Sequence, residues 1–288
     1  MMKHGLLFTN HFLKSPSFDA LYGLFDLAAE RCGIRLSHAT GGDAVAPFSE
    51  HPAKDADFVL FWDKDVAVAR RIVRHGIPVF NSPDAIRICD SKSETMEALC
   101  TAGLPMPRTL VAPMTYETVG YAKDDFIERA ASVLGLPLII KECYGSFGEQ
   151  VYLVSSVEAA KETVKRIGAK PLLFQEFISH SFGTDVRVNV VGDRAVCAMK
   201  RTGRAGDFRS NIASGGSGEV YALSKQEEAL AVAAAHAVGA SFAGVDLLFG
   251  ENGPLVCEVN SNPHFTGTYK STGINLAVPI FEHILQKT

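Results

Sequence analysis

Three oxygen-bearing side chains near the C-terminal end, Asp246, Glu258 and Asn260, occupy positions in two apolar runs where a purely structural strand would carry apolar residues. The runs are 245–249 (VDLLF) and 255–263 (LVCEVNSNP), joined by a Gly-, Asn- and Pro-rich connection at 250–254. That composition is the signature of a β-hairpin. Residues two apart on a strand share a face, so Glu258 and Asn260 point the same way. Folding the hairpin about its turn brings Asp246 within about one residue of facing Glu258, a cross-strand neighbour distance. Two carboxylates so placed repel one another unless a cation lies between them. Hard oxygen donors of this kind suit Mg²⁺, which is usually shared with nucleotide phosphates. The same residues also fit a plain solvent-facing hairpin whose polar positions alternate with the core.

Further candidates lie upstream on strands and loops. Lys141 is embedded in the apolar stretch 136–143 (LPLIIKEC), and a lysine there needs a partner, because burying an unpaired ammonium is costly. A phosphate oxygen or a neighbouring Glu would serve. The glycine-bearing loop 144–151 follows, then a strand at 151–154. The loop lacks Gly-Lys-Ser/Thr and leads to a strand, so it is not a P-loop, although its backbone N–H groups could cover phosphates; a hairpin turn explains it as well. A third apolar strand, 172–178, contains Gln175 and Glu176, and its backbone could read an adenine edge. The alternation over 183–189 puts Asp185, Arg187 and Asn189 on one face; the chain turns at 190–195 and returns over 196–201 with Lys200 and Arg201. The segments 204–211 and 214–218 form a polar loop too basic for a simple connector, and 226–239 reads as an amphipathic helix. Lys92 sits where the helix opened by Ser82-Pro83 is interrupted, with Ser93 as a second cap. Taken alone it is a surface lysine.

These residues need a scaffold. Strands at 6–8, 34–36, 57–62 and 77–80 alternate with helices at 18–30 and 65–74, stopped by Gly33 and Gly76. The alternation predicts a small parallel α/β layer, whose ligands would gather at the strand ends Asn10, Asp63 and Asn81. Turn and cap roles are the other reading of those three. No Gly-x-Gly-x-x-Gly follows the first strand, which argues against a dinucleotide site. A chain of 288 residues with 47% hydrophobic and 21% charged residues has core enough for two or three subdomains. The net charge of -4 offers no general attraction to nucleic acid or membrane. No run is long enough to span a bilayer, and the N-terminal residues read as a strand, not a signal peptide. The six cysteines lack Cys-x-x-Cys pairing, as expected for free thiols in a cytoplasmic protein.

Taken in order, Ile139-Ile-Lys141 with Gly145-Ser-Phe-Gly148, Gln175-Glu-Phe-Ile178, Asp185-x-Arg187, Gly206-Asp-Phe-Arg-Ser-Asn211, Gly244-Val-Asp246 and Glu258-Val-Asn-Ser-Asn-Pro263 resemble the ATP-grasp superfamily. The resemblance is strongest to its RimK-like carboxylate–amine ligases and covers about residues 85–288. It implies an α/β (α+β ATP-grasp) fold: a small parallel pre-ATP-grasp domain at 1–88, a central subdomain at 89–174 and a C-terminal subdomain with the metal site at 175–288. It implies ATP and Mg²⁺ (two ions, with Mn²⁺ as a substitute), the metals on Asp246, Glu258 and Asn260. Lys92 and Lys141 would hold phosphates, with Ser146 in the covering loop. Glu176, Phe177 and Ile178 would hold adenine, Asp185 the ribose, and Arg209, Ser210 and Asn211 would complete the nucleotide site. The implied reaction joins a carboxylate acyl donor to an amine, such as glutamate, on a peptide, protein tail or small metabolite, through an acyl phosphate. Arg209, then Arg201, are the candidates for stabilising the oxyanion, a structural salt bridge being the other role for Arg201. The segment 263–270, with His264 and Lys270, would line the acceptor pocket; His264 reads as a base or, more simply, as a wall. Glu149-Gln150 departs from the family's more glycine-rich loop. A free dipeptide or D-alanyl-type ligase, a non-catalytic ATP-binding regulator and a hydroxyl kinase are the competing functions; an assembly of identical chains is compatible with each.

Overall fold

The computed structural model describes residues 2–50, 53–145, 148–210 and 215–288. The chain opens with β1 (His4–Thr9), α1 (Pro16–Arg31), β2 (Arg35–Thr40), β3 (Phe58–Trp62), α2 (Val66–Arg74) and β4 (Val79–Phe80). The strands pair in parallel in the order β2-β1-β3-β4, as the alternation of strands and helices predicts. Every residue of β3 is buried, the pattern of a strand covered on both faces. Side-chain caps set the helix starts. Asp65 accepts from the Val68 N–H at 3.0 Å, and Ser15 caps α1, which therefore begins two residues before the apolar spacing suggests.

Next come α3 (Pro83–Asp90), α4 (Lys92–Thr101), β5 (Thr109–Val111), α5 (Asp125–Leu134), β6 (Leu138–Glu142), β7 (Val151–Val154), α6 (Val157–Ile167) and β8 (Leu172–Glu176). Ser82 caps α3 by accepting from the Ala85 N–H at 3.1 Å. The break before α4 falls at Ser91, not Ser93: the Ser91 side chain caps α4, which places Lys92 at its first residue. The second sheet is antiparallel, in the order β5-β8-β6-β7, and α5 and α6 cover one face of it through Ile127, Leu134, Val164 and Ile167.

The remainder is β9 (Thr184–Val191), β10 (Arg194–Thr202), β11 (Ser217–Val220), α7 (Lys225–Ala237), β12 (Phe242–Gly250), β13 (Gly253–Asn260), α8 (Thr266–Thr272) and α9 (Ala277–Lys287). Ser224 and Glu227 form a capping box that starts α7. The third sheet, β11-β10-β9-β12-β13, is antiparallel throughout. Hydrophobic packing crosses the sheets. Ala85, Cys89, Met96 and Leu99 of α3 and α4 share a core with β9, β12, β13 and α7. At the C-terminus, Ile280, Phe281 and Ile284 of α9 complete the core of the first sheet with Leu7, Leu21, Phe25 and Phe58. Phe281 lies 6.2 Å from the Phe25 ring and 6.4 Å from Phe58, and burying such a side chain contributes about 1.5–3 kcal/mol. The end of the chain therefore locks the first sheet against the segment that leaves β13. Among the described residues no helix is long and apolar enough to cross a membrane.

Candidate active site

The β12–β13 hairpin pairs Asp246 with Glu258 and Gly244 with Asn260, which brings the three oxygen-bearing side chains onto neighbouring strands. The register then steps from Asp246↔Glu258 to Leu247↔Val256, leaving Cys257 as the extra residue of a β-bulge. Bulges re-aim side chains, and here Cys257 Sγ lies 3.5 Å from Lys141 Nζ, a contact between the second and third sheets. From the start of α4, Lys92 Nζ comes to 3.7 Å from Glu258 Oε1 and donates to the Gly145 carbonyl at 3.1 Å. Asn260 donates its amide to the Gly244 carbonyl at 3.3 Å, leaving its amide oxygen as the acceptor end. Among the described residues no group of three or more His, Cys, Asp and Glu side chains is gathered to hold a metal by itself. Two carboxylates and an amide oxygen with two lysines close by fit Mg²⁺ whose remaining positions are filled by phosphate oxygens and water.

Beneath the hairpin lies a charge cluster. Asp246 is buried and accepts from Arg187 Nε, from Arg187 Nη2 at 2.8 Å and from Arg201 Nη2 at 2.9 Å. Asp185 accepts from Arg201 Nε at 2.7 Å, from Arg201 Nη2 at 2.5 Å and from the Ser210 hydroxyl at 2.5 Å. Two carboxylates and two guanidiniums cancel, as a buried ionic cluster must. Burial pushes the Asp246 carboxyl up, but Arg187 and then Arg201 outweigh it and hold Asp246 below the usual carboxylate range. For Asp185 burial prevails over Arg201, with the charge of Asp246 adding to it, and the carboxyl is pushed up. Arg201 thus spans two carboxylates, the geometry of a salt bridge.

Arg209 donates to Asp207 at 3.0 and 2.9 Å and reaches the Gly148 carbonyl at 3.2 Å, joining the 204–210 loop to the glycine-bearing loop. Ser146 and Asn211 lie outside the described residues. At the end of β8, the Glu176 carboxylate pairs with Arg108, while its N–H donates to the Arg108 carbonyl at 2.9 Å. Glu176, Phe177 and Ile178 border a cleft of about 440 Å³ closed on the other side by Pro105 and the β12–β13 turn, within the size range of small-ligand sites.

The strand-end residues of the first sheet turn toward this hairpin. Asn81 is fully buried and donates at 2.9 Å to both the Phe242 and Ser261 carbonyls, the latter adjacent to Asn260. Asn262 donates to the Asp63 carbonyl at 2.8 Å, and Asn10 donates to Asp63 Oδ1 at 3.0 Å. His264 stands edge-on to Phe18 at 5.3 Å, with Ser17 and Thr266 hydroxyls each 3.1 Å from a ring nitrogen. Burial lowers its pKa, and the charge of Arg187 lowers it further. With both nitrogens engaged, His264 has the contacts of a wall, while Lys270 is exposed. Arg187 has no role in the sequence reading: the alternation places it on the face of Asp185, and only the fold reveals its contact with Asp246.

Residues 89–284 match the RimK-like ATP-grasp domain family. A protein of Legionella pneumophila named a probable alpha-L-glutamate ligase is 39% identical over 272 residues, 93% of this chain and 85% of that protein. Among solved structures, the ATP-grasp ligase PsnB complexed with a minimal precursor aligns with a TM-score of 0.74 at 20% identity, over 100% of both chains. D-alanine–D-alanine ligase from Bacillus anthracis aligns with a TM-score of 0.76 at 17% identity, over 100% of this chain and 98% of the other. At these identities the structural likeness carries the fold, which is that of ATP-grasp ligases. The family follows from the sequence matches: the chain belongs to the RimK-like ATP-grasp family and is a ligase that forms carbon–nitrogen bonds.

Proposed function

We propose that the protein uses ATP and Mg²⁺ to join an amino acid, glutamate in the first instance, to the carboxylate of a peptide, protein tail or small metabolite. The observation that carries this reading is the pairing of Asp246 with Glu258, with Lys92 Nζ 3.7 Å from Glu258 Oε1. The names of the sequence relatives, probable alpha-L-glutamate ligases, support glutamate as the amino acid. A carboxylate is a poor acyl donor, so its oxygen first takes the γ-phosphoryl group of ATP, giving an acyl phosphate that the amine then attacks. The bound metal would supply charge neutralisation for the transferred phosphoryl group. Asp246, Glu258 and the Asn260 oxygen would hold two such ions. Lys92 and Lys141 would face the phosphates, Lys92 exchanging its bond to the Gly145 carbonyl for a phosphate oxygen. The backbone of Glu176–Ile178 would hold adenine, with Arg108 keeping the Glu176 side chain out of the way.

For Asp185 the contacts favour a different role from the ribose contact implied by the resemblance. With Arg201 and Ser210 on its carboxylate, it orients Arg201 and, through it, Asp246. Arg209, less enclosed, would move from Gly148 to the developing oxyanion. We take residues 1–88 as the domain that steadies the hairpin and 89–174 and 175–288 as the two jaws around the nucleotide. The test is ADP release with Mg²⁺-ATP against a panel of carboxylates, with and without amino acids. ADP that appears only when a carboxylate and an amine are both present, with glutamate preferred, supports the reading. ADP bound to no such pairing, or a phosphoester product, overturns it.

A further inference from the structure

The buried charge cluster contains two arginines, and they are not equivalent. Arg201 bridges Asp185 and Asp246, whereas Arg187 pairs with Asp246 alone, through Nε and Nη2. Arg187 Nη1 has no hydrogen-bond partner among the described residues, although the side chain is only 13% exposed. Its position is built into the backbone of β12. A Cβ at Gly244 would lie 3.1 Å from Arg187 Cδ, 3.2 Å from Arg187 Nη1 and 2.7 Å from Pro263 Cβ. Glycine therefore leaves the room in which the guanidinium lies across β12 against the segment that leaves the metal hairpin.

A guanidinium offers carboxylates more than one edge. With the Nε–Nη2 edge on Asp246, the Nη1–Nη2 edge remains, and it matches one further carboxylate in two parallel bonds. We propose that Arg187 anchors the reacting carboxylate of the acyl donor through this edge. The inference rests on the ligase reading above and deepens it by naming the residue that selects a carboxylate. An acid held there lies beside Asp246, hence beside the phosphoryl group. Its oxygen forms the bond to the γ-phosphorus as the bond to ADP breaks and ADP leaves with the electron pair. When the amine nitrogen attacks the carbonyl carbon, the same N–H groups stay on the carboxyl end of the donor while Arg209 meets the oxygen on which negative charge develops. That charge returns as the C–O bond to phosphate breaks, phosphate departs with the pair, and the nitrogen gives its proton to solvent.

The experiment compares wild type with Arg187→Lys and Arg187→Ala, using glutamyl-glutamate and succinate as acyl donors and L-glutamate as the amine. Hydroxylamine serves as a nucleophile that carries no carboxylate of its own. Loss of a two-bond charged contact is expected to raise the KM for the donor by about tenfold to a hundredfold. Hydroxamate and amide formation fall together, the KM for the donor rises by a larger factor than the KM for ATP, which loss of the Arg187 pairing to Asp246 also moves, and added guanidinium salt restores part of the activity of Arg187→Ala. Rescue of that kind is not expected of a purely structural arginine. Hydroxamate formed at the wild-type rate while amide formation fails would overturn the proposal, because Arg187 would then be serving the amine partner. A rise in the KM for ATP as large as that for the donor, without rescue, would overturn it too. Absence of hydroxamate from wild type would count against the ligase reading itself. Calorimetric binding of the same acids to the ADP-loaded protein tests Arg187 separately: binding weakened in the variants supports the anchor, and binding equal to wild type, or undetectable in wild type, overturns it.

Discussion

Replacing Asn81 with alanine removes four hydrogen bonds at one fully buried position. The amide nitrogen donates to the Phe242 and Ser261 carbonyls at 2.9 Å each, and the amide oxygen accepts from the Ser241 and Phe242 N–H groups at 2.6 and 3.2 Å. Each backbone group left buried without a partner costs about 1–3 kcal/mol. Relaxation of the start of β12 and entry of water recover part of this, so the net loss is about 3–5 kcal/mol, in the range of the more severe single substitutions. At roughly 2–4 °C per kcal/mol for a chain of this size class, the melting temperature falls by about 10 °C. The clamp also fixes the carbonyl next to Asn260, so the surviving folded protein needs more Mg²⁺ for half-maximal ADP formation. Calorimetric melting, repeated with and without Mg²⁺-ATP, reads both effects: a lower transition and a smaller stabilisation by the ligand. A variant that melts within about 1 °C of wild type and keeps its Mg²⁺ requirement would show that the first sheet does not hold the hairpin through Asn81.

Asp246→Asn or Glu258→Gln should abolish Mg²⁺-dependent ADP formation while the far-ultraviolet circular dichroism stays native; wild-type turnover in either would dismiss the metal assignment. Arg209→Ala should lower kcat by about a hundredfold, the scale of a lost oxyanion donor, with a much smaller change in the KM for ATP measured in the same steady-state series. Arg108→Ala frees the Glu176 side chain at the end of β8; because Arg108 is largely exposed, stability should move by less than about 1 kcal/mol while ATP binding weakens. For pH, burial and Arg187 keep the folded-state pKa of His264 below its ordinary value of 6.5. The unfolded chain therefore binds more protons below that pH, and stability falls as the pH drops through 6.5 toward the folded pKa. Between pH 7.5 and 5 the urea midpoint of wild type should fall relative to that of His264→Phe, and an unchanged difference would remove the effect.

Hairpin logic was enough to place Asp246 within about one residue of facing Glu258, because a two-residue period and a short turn leave few registers; the fold pairs the two directly. It did not disclose the bulge at Cys257, which depends on how β13 meets Lys141 from another sheet. Ser82-Pro83 announced α3 directly, whereas the choice between Ser91 and Ser93 as the cap of α4 turned on backbone angles that composition does not encode. The helices α5 and α6 carry readable apolar spacing at Ile127, Ala130 and Leu134 and at Ala160, Val164 and Ile167, a pattern that identifies a packed face and says nothing of the site. The roles of Arg187, Arg201 and Asn81 were illegible for a different reason. Each is defined by partners 16 to 180 positions away, and local pattern shows which face a residue takes but not what meets it. Asn10, Asp63 and Asn81 stood out as strand ends, yet Asp63 and Asn81 hold the segment that leaves β13, while Asn10 caps its own turn at Phe12 and Leu13 and donates to Asp63.

The proposed chemistry rests on the acyl donor being activated by taking phosphate on its own carboxylate. The most direct measurement supplies the donor with ¹⁸O in that carboxylate, together with Mg²⁺-ATP and glutamate, and determines the isotope in the phosphate released. Activation through an acyl phosphate releases phosphate carrying an oxygen from the donor, in step with amide. Unlabelled phosphate alongside amide, or ADP formed with the label remaining wholly in the donor, would contradict it.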